Sequence, residues 1–313
     1  MLVGVVDAAA RVRHRSTRTG FGATAEGILD TLEAEVRQAV AAEPGAEAVG
    51  LGIPCTIDRE RGLAISAVNL PLVDVPVRDL MRERLGMPVF IDNDANVAAL
   101  AEHRHGVARG ARNVVLLTIG TGIGGGLILD GLPYRGSTGA GAEMGHVVVD
   151  ADGPPCQGNC PNRGCVETMT SGVALARDGL AAAERAPGSR LGRMLAAGEP
   201  IDGLAVTEAA LAGDGPARAV VERGGRYLGV ALSSLANTFE PDVIVIGGGV
   251  MAAGELLLEP ARAELRARAL SPQNTTPVRA AELGSDAGMI GAAILAMDEL
   301  EQLRAPPADR ASV

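Results

Sequence analysis

The densest chemistry in the sequence lies between His146 and Glu167, which reads HVVVDADGPPCQGNCPNRGCVE. It contains His146, Cys156, Cys160 and Cys165, three of the chain's four cysteines and one of its four histidines. Nine residues separate the histidine from the first cysteine, and three and then four separate the cysteines. One imidazole and three thiolates on short spacers bounded by Gly and Pro can close a tetrahedral zinc site. With all four ligands supplied by protein, such a site is closed and structural rather than hydrolytic. The alternatives are a single disulfide with one thiol left over, or a cysteine-rich loop without metal. Cys55 stands alone behind an apolar run and reads as a small core residue.

A second cluster is Ile91-Asp92-Asn93-Asp94-Ala95-Asn96, where an apolar strand meets a helix. Strand ends of α/β sheets present functional groups to a crevice, and Asp94 sits at such an end. Asp and Asn are also good helix caps, but capping accounts for one such residue well and for four poorly. Two glycine runs come directly after apolar strands: Gly120-Thr121-Gly122-Ile123-Gly124-Gly125-Gly126 and Gly247-Gly248-Gly249. Their main-chain N–H groups can cradle phosphate. Neither matches a P-loop, because no Gly-Lys-Ser/Thr comes after it, and a plain glycine hairpin is the competing reading of the first. Glu143 and Glu167 flank the Cys/His segment, and if zinc binds, both carboxylates are held in one small region.

Periodicity marks the elements that could position these groups. Apolar runs at 1–7, 48–54, 88–92, 113–119 and 242–246 read as strands. Helices are expected at about 23–42, 78–85, 95–105, 170–185, 206–212, 216–237, 254–268 and 286–304. In the first of these, Ile28, Leu29, Leu32, Val36 and Val40 share a face. Strands alternating with helices argue for an α/β fold. The two halves resemble each other loosely, with a boundary near 106–112 and a disordered tail at 305–313. The chain has 313 residues, 47% hydrophobic, and only 2% aromatic, so its core must be aliphatic. A net charge of −10 without a basic run argues against nucleic acid or an anionic membrane as partner. No apolar stretch reaches spanning length and no signal pattern is evident, so the expected location is cytoplasmic. In that reducing setting, clustered cysteines are metal ligands more often than disulfides.

Six stretches together resemble the ROK family of sugar kinases and repressors, within the actin-like (ribonuclease-H-like) ATPase superfamily. They are IDNDANVAALAE (91–102), LTIGTGIGGGLILDG (117–131), GAEMGH (141–146), CPNRGCVE (160–167), PDVIVIGGGV (241–250) and SDAGMIGAAILA (285–296). The Cys-x4-Cys-x-Glu run resembles bacterial glucokinases of that family most. The resemblance implies two domains around a cleft: 1–110 completed by the helix 286–304, and 111–285 with the zinc knuckle. It implies phosphorylation of a hexose, glucose foremost, at its 6-hydroxyl with Mg-ATP, and Asp94 as the base. Asn69, Asn93, Asp94, Glu143, His146 and Glu167 would bind the sugar. Thr121, Gly122, Gly124, Gly125, Gly126, Gly247, Gly248 and Gly249 would bind ATP, and His146, Cys156, Cys160 and Cys165 would bind structural zinc. A dimer or tetramer is implied as well. Other hexoses and a polyphosphate donor stay open, and a sugar-responsive repressor is the different-class alternative.

Two departures stand out. The family's first cysteine precedes the second by two positions, whereas Cys156 precedes Cys160 by four. The family also opens with a strand and an Asp-x-Gly-Gly-Thr phosphate loop, and the start MLVGVVD matches the strand on the far side of that loop. The expectation is that the first strand and loop are encoded upstream of Met1. Otherwise the chain is an impaired kinase or a non-catalytic sugar-binding relative.

Overall fold

The computed structural model describes residues 1–20, 22–67 and 70–305, and positions 306–313 of the expected tail lie outside them. Contacts divide the chain into two units. The first comprises Met1–Gly110, Pro133–Ala142 and Glu282–Val313; the second comprises Ala111–Leu132 and Glu143–Ala281. The break near Gly110 falls within the interrupted segment at 106–112, while the grouping of 133–142 with the first unit has no sequence signal.

The first unit begins with β1 (Leu2–Val6) and β2 (Val12–Thr17), paired antiparallel, then α1 (Ala25–Ala42). β2 is a strand that periodicity does not reveal. Its residues VRHRST alternate between half-buried and exposed positions, so it has no apolar run to betray it. Thr24 caps α1, its hydroxyl accepting from Gly27 N–H at 3.1 Å. β3 (Val49–Ile53) is succeeded by a three-stranded antiparallel sheet of β4 (Thr56–Asp58), β5 (Leu63–Ser66) and β6 (Val73–Val75). The stretch after β3, with Asp58-Arg-Glu-Arg-Gly62, reads from sequence as turn-rich, because these three strands are too short to show a period. α2 (Val77–Leu85) leads to β7 (Val89–Asn93), parallel to β3, and α3 (Asp94–His105).

In the second unit, β8 (Val114–Ile119) turns into β9 (Ile123–Leu129), and β10 (Leu132–Tyr134) comes next as the chain passes into the 133–142 segment grouped with the first unit. After a 3-10 turn at Met144–His146 come α4 (Val166–Thr170), α5 (Gly172–Arg185), α6 (Arg190–Ala196), α7 (Gly203–Leu211) and α8 (Gly215–Phe239). Then come β11 (Val243–Gly247), α9 (Glu255–Arg268) and β12 (Val278–Ala280), after which α10 (Ala287–Arg304) returns to the first unit. One sheet runs β10-β9-β8-β11-β12, with β11 parallel to both β8 and β12. β8 and β11 are its apolar centre, and Val115, Leu117, Ile244 and Ile246 are fully buried. Continuous apolar runs are what strands covered on both faces require.

α10 belongs to the first unit although it ends the described chain. Two glycines permit its close approach. A Cβ on Gly50 would lie 1.7 Å from Ala292 O, and one on Gly291 would lie 1.7 Å from Val97 O. α10 therefore packs directly on the backbones of β3 and α3. Glu102, fully buried, fixes its entry by accepting from Leu283 N–H at 2.7 Å and from Val107 N–H at 3.0 Å.

Candidate functional site

In the first unit the chain turns from β7 into α3 through Asp92-Asn93-Asp94-Ala95-Asn96, and each polar residue has a distinct task. Asn93 is the cap: its Oδ1 accepts from Ala95 N–H at 2.8 Å and Asn96 N–H at 3.2 Å. Its Nδ2 donates to Cys55 O at 3.2 Å, so the amide is engaged at both ends. Asp92 is 2% exposed and accepts from Asn93 N–H at 2.8 Å and Asn96 Nδ2 at 3.1 Å through one oxygen. Its other oxygen takes Arg135 Nε at 2.6 Å, with Arg59 Nε at 3.7 Å. Arg59 in turn pairs with Glu299.

Asp94 alone is left to point outward. Its carboxylate accepts from Ala95 N–H at 3.0 Å, and the residue is exposed. Protein packed around the carboxyl nonetheless removes enough water to push its pKa above the ordinary 3.8, against the pull of Ala95 N–H. The neighbouring Cys55 thiol is buried and pushed up to about 12, first by burial and then by the Asp94 charge. A thiol so protonated is a core group and no nucleophile. Asn69 lies outside the described residues.

No local sequence signal marks Arg135 or Arg59. Arg135 is separated from Asp92 by 43 positions and belongs to the 133–142 segment. Burial lowers its pKa and Asp92 opposes that shift. A guanidinium stays charged across the working range, so the buried pair is a fixed anchor for the Asp94 turn.

In the second unit, the first glycine run is a three-residue turn closing the β8–β9 hairpin, with Ile119 opposite Ile123. Gly120, Thr121 and Gly122 form the turn, while Gly124, Gly125 and Gly126 lie within β9. Glu167, at the start of α4 and 9% exposed, holds this turn, accepting from Ile123 N–H at 2.7 Å. A Cβ on Gly122 would sit 2.4 Å from the same carboxylate oxygen. Gly172 N–H, at the start of α5, donates to Gly120 O at 2.8 Å.

The second glycine run lies beside the first. Gly247 ends β11 opposite Thr118 of β8, and Gly248 adopts a φ of 91°. A Cβ on Gly248 would lie 2.4 Å from Ile119 O, so both space and backbone demand glycine there. The two turns thus stand side by side at the carboxyl ends of neighbouring parallel strands, the usual place for ligands in open α/β sheets.

His146 ends the 3-10 turn that Glu143 opens, with His146 N–H donating to Glu143 O at 3.1 Å. This turn packs on β9, where a Cβ on Gly145 would lie 2.3 Å from Ile123 O. His146, Cys156, Cys160 and Cys165 converge, with ligand atoms all within 4.8 Å of one another. Cys156 Sγ lies 3.4 Å from His146 Nδ1, and Cys160 Sγ lies 3.9 Å from Cys165 Sγ. Ligands about 2.3 Å from a tetrahedral zinc stand about 3.8 Å apart, so the donor set and its spacing fit that ion. None of the four cysteines is bonded to another in this structure. The loop that delivers them is pinned by bridges between Val148 and Cys165 and between Pro155 and Arg163, and by Cys156 N–H to Asn162 O at 2.9 Å. The longer Cys156–Cys160 spacer is thus compatible with convergence.

Against known proteins, the sequence profile described as the ROK family matches residues 1–299. A glucokinase of Halalkalibacterium halodurans is 40% identical over 245 residues, covering 78% of this chain and 74% of that protein. A glucokinase of Thermotoga maritima is 34% identical over 302 residues, 95% of this chain and 94% of that one. A crystal structure of a ROK family glucokinase from Streptomyces griseus, in complex with glucose and AMPPNP, superposes with a TM-score of 0.84 at 36% identity. That superposition covers 94% of this chain and 95% of the other. A xylose repressor of Caldicellulosiruptor bescii also matches, at 29% identity over 79% of this chain and 61% of that protein. The fold is therefore the actin-like ATPase fold that the sequence motifs implied. The chain belongs to the ROK family.

Proposed function

We propose that the protein transfers the γ-phosphoryl group of Mg-ATP to the 6-hydroxyl of a hexose, glucose foremost. It is a sugar kinase of the ROK family. The observation that carries the assignment is the division of labour in the Asp92–Asn96 turn. Capping and ion pairing are done by Asn93 and Asp92, which leaves Asp94 presented outward with a raised pKa. A carboxylate of raised basicity suits proton removal from a hydroxyl as that oxygen attacks phosphorus.

Glu143, His146 and Glu167 act on sugar hydroxyls in this reading, and Asn93 acts by orienting Asp94. The turns at Thr121–Gly126 and Gly247–Gly249 receive the nucleotide, their N–H groups and missing side chains allowing close approach of phosphate and adenosine. His146, Cys156, Cys160 and Cys165 would hold a structural zinc, which supplies rigidity and no chemistry at the reacting atoms. Ligation through one ring nitrogen would fix the His146 ring and leave the other nitrogen for a hydroxyl. Metal analysis should find about one zinc per chain, and fully active metal-free protein would rule the site out.

The test is Asp94→Asn assayed for hexose 6-phosphate formation and, separately, for equilibrium sugar binding. Turnover should fall by about 10²–10⁴-fold with binding retained. Unchanged turnover would remove Asp94 as base.

A further inference from the structure

In the second unit, the turn at 120–123 is gripped from two sides, and each grip comes from a chain neighbour of a Cys/His ligand. On one side stands Glu167, two residues after Cys165, whose Oε2 accepts from Ile123 N–H at 2.7 Å. On the other stands buried Gly145, one residue before His146, where an added Cβ would lie 2.3 Å from Ile123 O. The amide and the carbonyl of one residue are thus met by the two segments that carry His146 and Cys165. Beyond α4, Ser171 N–H donates to Glu167 O at 3.1 Å and Gly172 N–H to Gly120 O at 2.8 Å. The segment that starts at Cys165 therefore meets the turn twice, at Ile123 and at Gly120.

Two kinds of joint hold the His146 and Cys165 segments to each other. Main chain joins them from Val166 N–H to Val147 O at 2.9 Å and from Val149 N–H to Gly164 O at 2.8 Å. Side chains join them at the cluster, where the ligand atoms lie within 4.8 Å of one another and Cys165 is fully buried. Single main-chain bonds in a loop open by local fluctuation. Thiols are weak hydrogen-bond partners, so contacts such as Cys156 Sγ to His146 Nδ1, at 3.4 Å, add little strength while no metal joins them. Ligation converts the same contacts into a joint whose binding free energy is folding free energy.

We infer that the Cys/His cluster is a clamp on the first glycine turn: when a metal joins its ligands, Gly145 and Glu167 close on Ile123 and fix the turn for a nucleotide. Gly145 and Glu167 are the positioning residues of this clamp. The cluster thereby acts on the nucleotide side of the second unit and not only on sugar hydroxyls. Metal and nucleotide are then coupled ligands, and coupling is reciprocal, so each tightens the other by the same factor. The clamp stands on the geometry of the second unit, and only its nucleotide half rests on the kinase reading.

The test compares the full chain in three forms: zinc-loaded, stripped of metal by a chelator, and zinc-loaded Gly145→Ala, whose added Cβ opens the clamp while all four ligands stay in place. Hydrogen exchange is read at the Ile123 and Gly172 amides, with the amides that pair β8 with β11 as the internal control, and Mg-AMPPNP binding is read by calorimetry. Metal removal and Gly145→Ala should each speed exchange at Ile123 and Gly172 at least about tenfold, while β8 and β11 stay protected. Both should weaken Mg-AMPPNP binding about tenfold, and saturating Mg-AMPPNP should raise zinc affinity by the factor that zinc raises analogue affinity. Equal exchange at Ile123 and Gly172 in all three forms would overturn the inference. Analogue binding of equal strength in all three would overturn it too, as would loss of protection throughout β8 and β11, which would make the cluster a support of the whole unit. A turn loosened as expected, with no analogue binding in any form, would count against the kinase reading and not against the clamp.

Discussion

The two units hold their candidate functional turns by different means. In the second unit β9, β8, β11 and β12 run side by side in one sheet, and its glycine turns are fixed through main chain. Gly248 abuts the Ile119 backbone, Gly172 N–H bonds Gly120 O, and Ile123 N–H is held by Glu167. In the first unit the strands are distributed over smaller sheets, and the Asp94 turn is fixed through side chains. Asp92, Arg135 and Asn96 form the anchor, and Asn93 caps the helix behind it. A turn held by main chain is intolerant of an added Cβ but indifferent to charge. A turn held by a buried ion pair accepts bulk nearby but not the loss of one partner.

Substitutions can break this comparison, and the largest effect belongs to the charged anchor. Asp92→Ala leaves Arg135 buried without its carboxylate and strips Asn96 of its acceptor, and should destabilise the protein by about 3–5 kcal/mol. Replacing Asp92 and Arg135 together with apolar residues should cost less than Asp92→Ala alone, as read by urea unfolding. Equal losses would show that the pair is not the anchor. Gly248→Ala should cost about 3 kcal/mol, combining left-handed strain with overlap on Ile119, and the loss should not depend on salt. A salt-dependent loss would blur the distinction between the units. Glu167→Ala should cost about 1–3 kcal/mol by leaving Ile123 N–H unpaired, whereas Glu167→Gln retains an acceptor and should lose less. If both lose alike, the carboxylate charge and not the hydrogen bond holds the turn.

The same contrast explains what could be read from sequence. β8, β11 and the β7–α3 junction are legible because buried strands are continuous apolar runs ending in Gly or Asx. The Cys/His cluster is legible because its ligands lie close along the chain. β2 is not, because its polar alternation offers no apolar run, and β4 to β6 are shorter than any period can register. The Asp92–Arg135 and Arg59–Glu299 pairs span 43 and 240 positions, and nothing local marks either partner. Within the Asx run, residue types alone cannot separate the cap from the base. Only the hydrogen bonds of Asn93 and Asp92 isolate Asp94.

The central claim is that Asp94 is the base, and the pH dependence of kcat/KM for hexose phosphorylation tests it most directly. Removal of water around the carboxyl raises its pKa, so the protonated, inactive form persists to higher pH than for a solvated aspartate. Activity should therefore rise with pH along an acid limb centred above 3.8. Asp94→Asn should abolish that limb together with at least about a hundredfold of the rate. An unchanged acid limb in Asp94→Asn, with a rate within a few fold of the parent, would contradict the account.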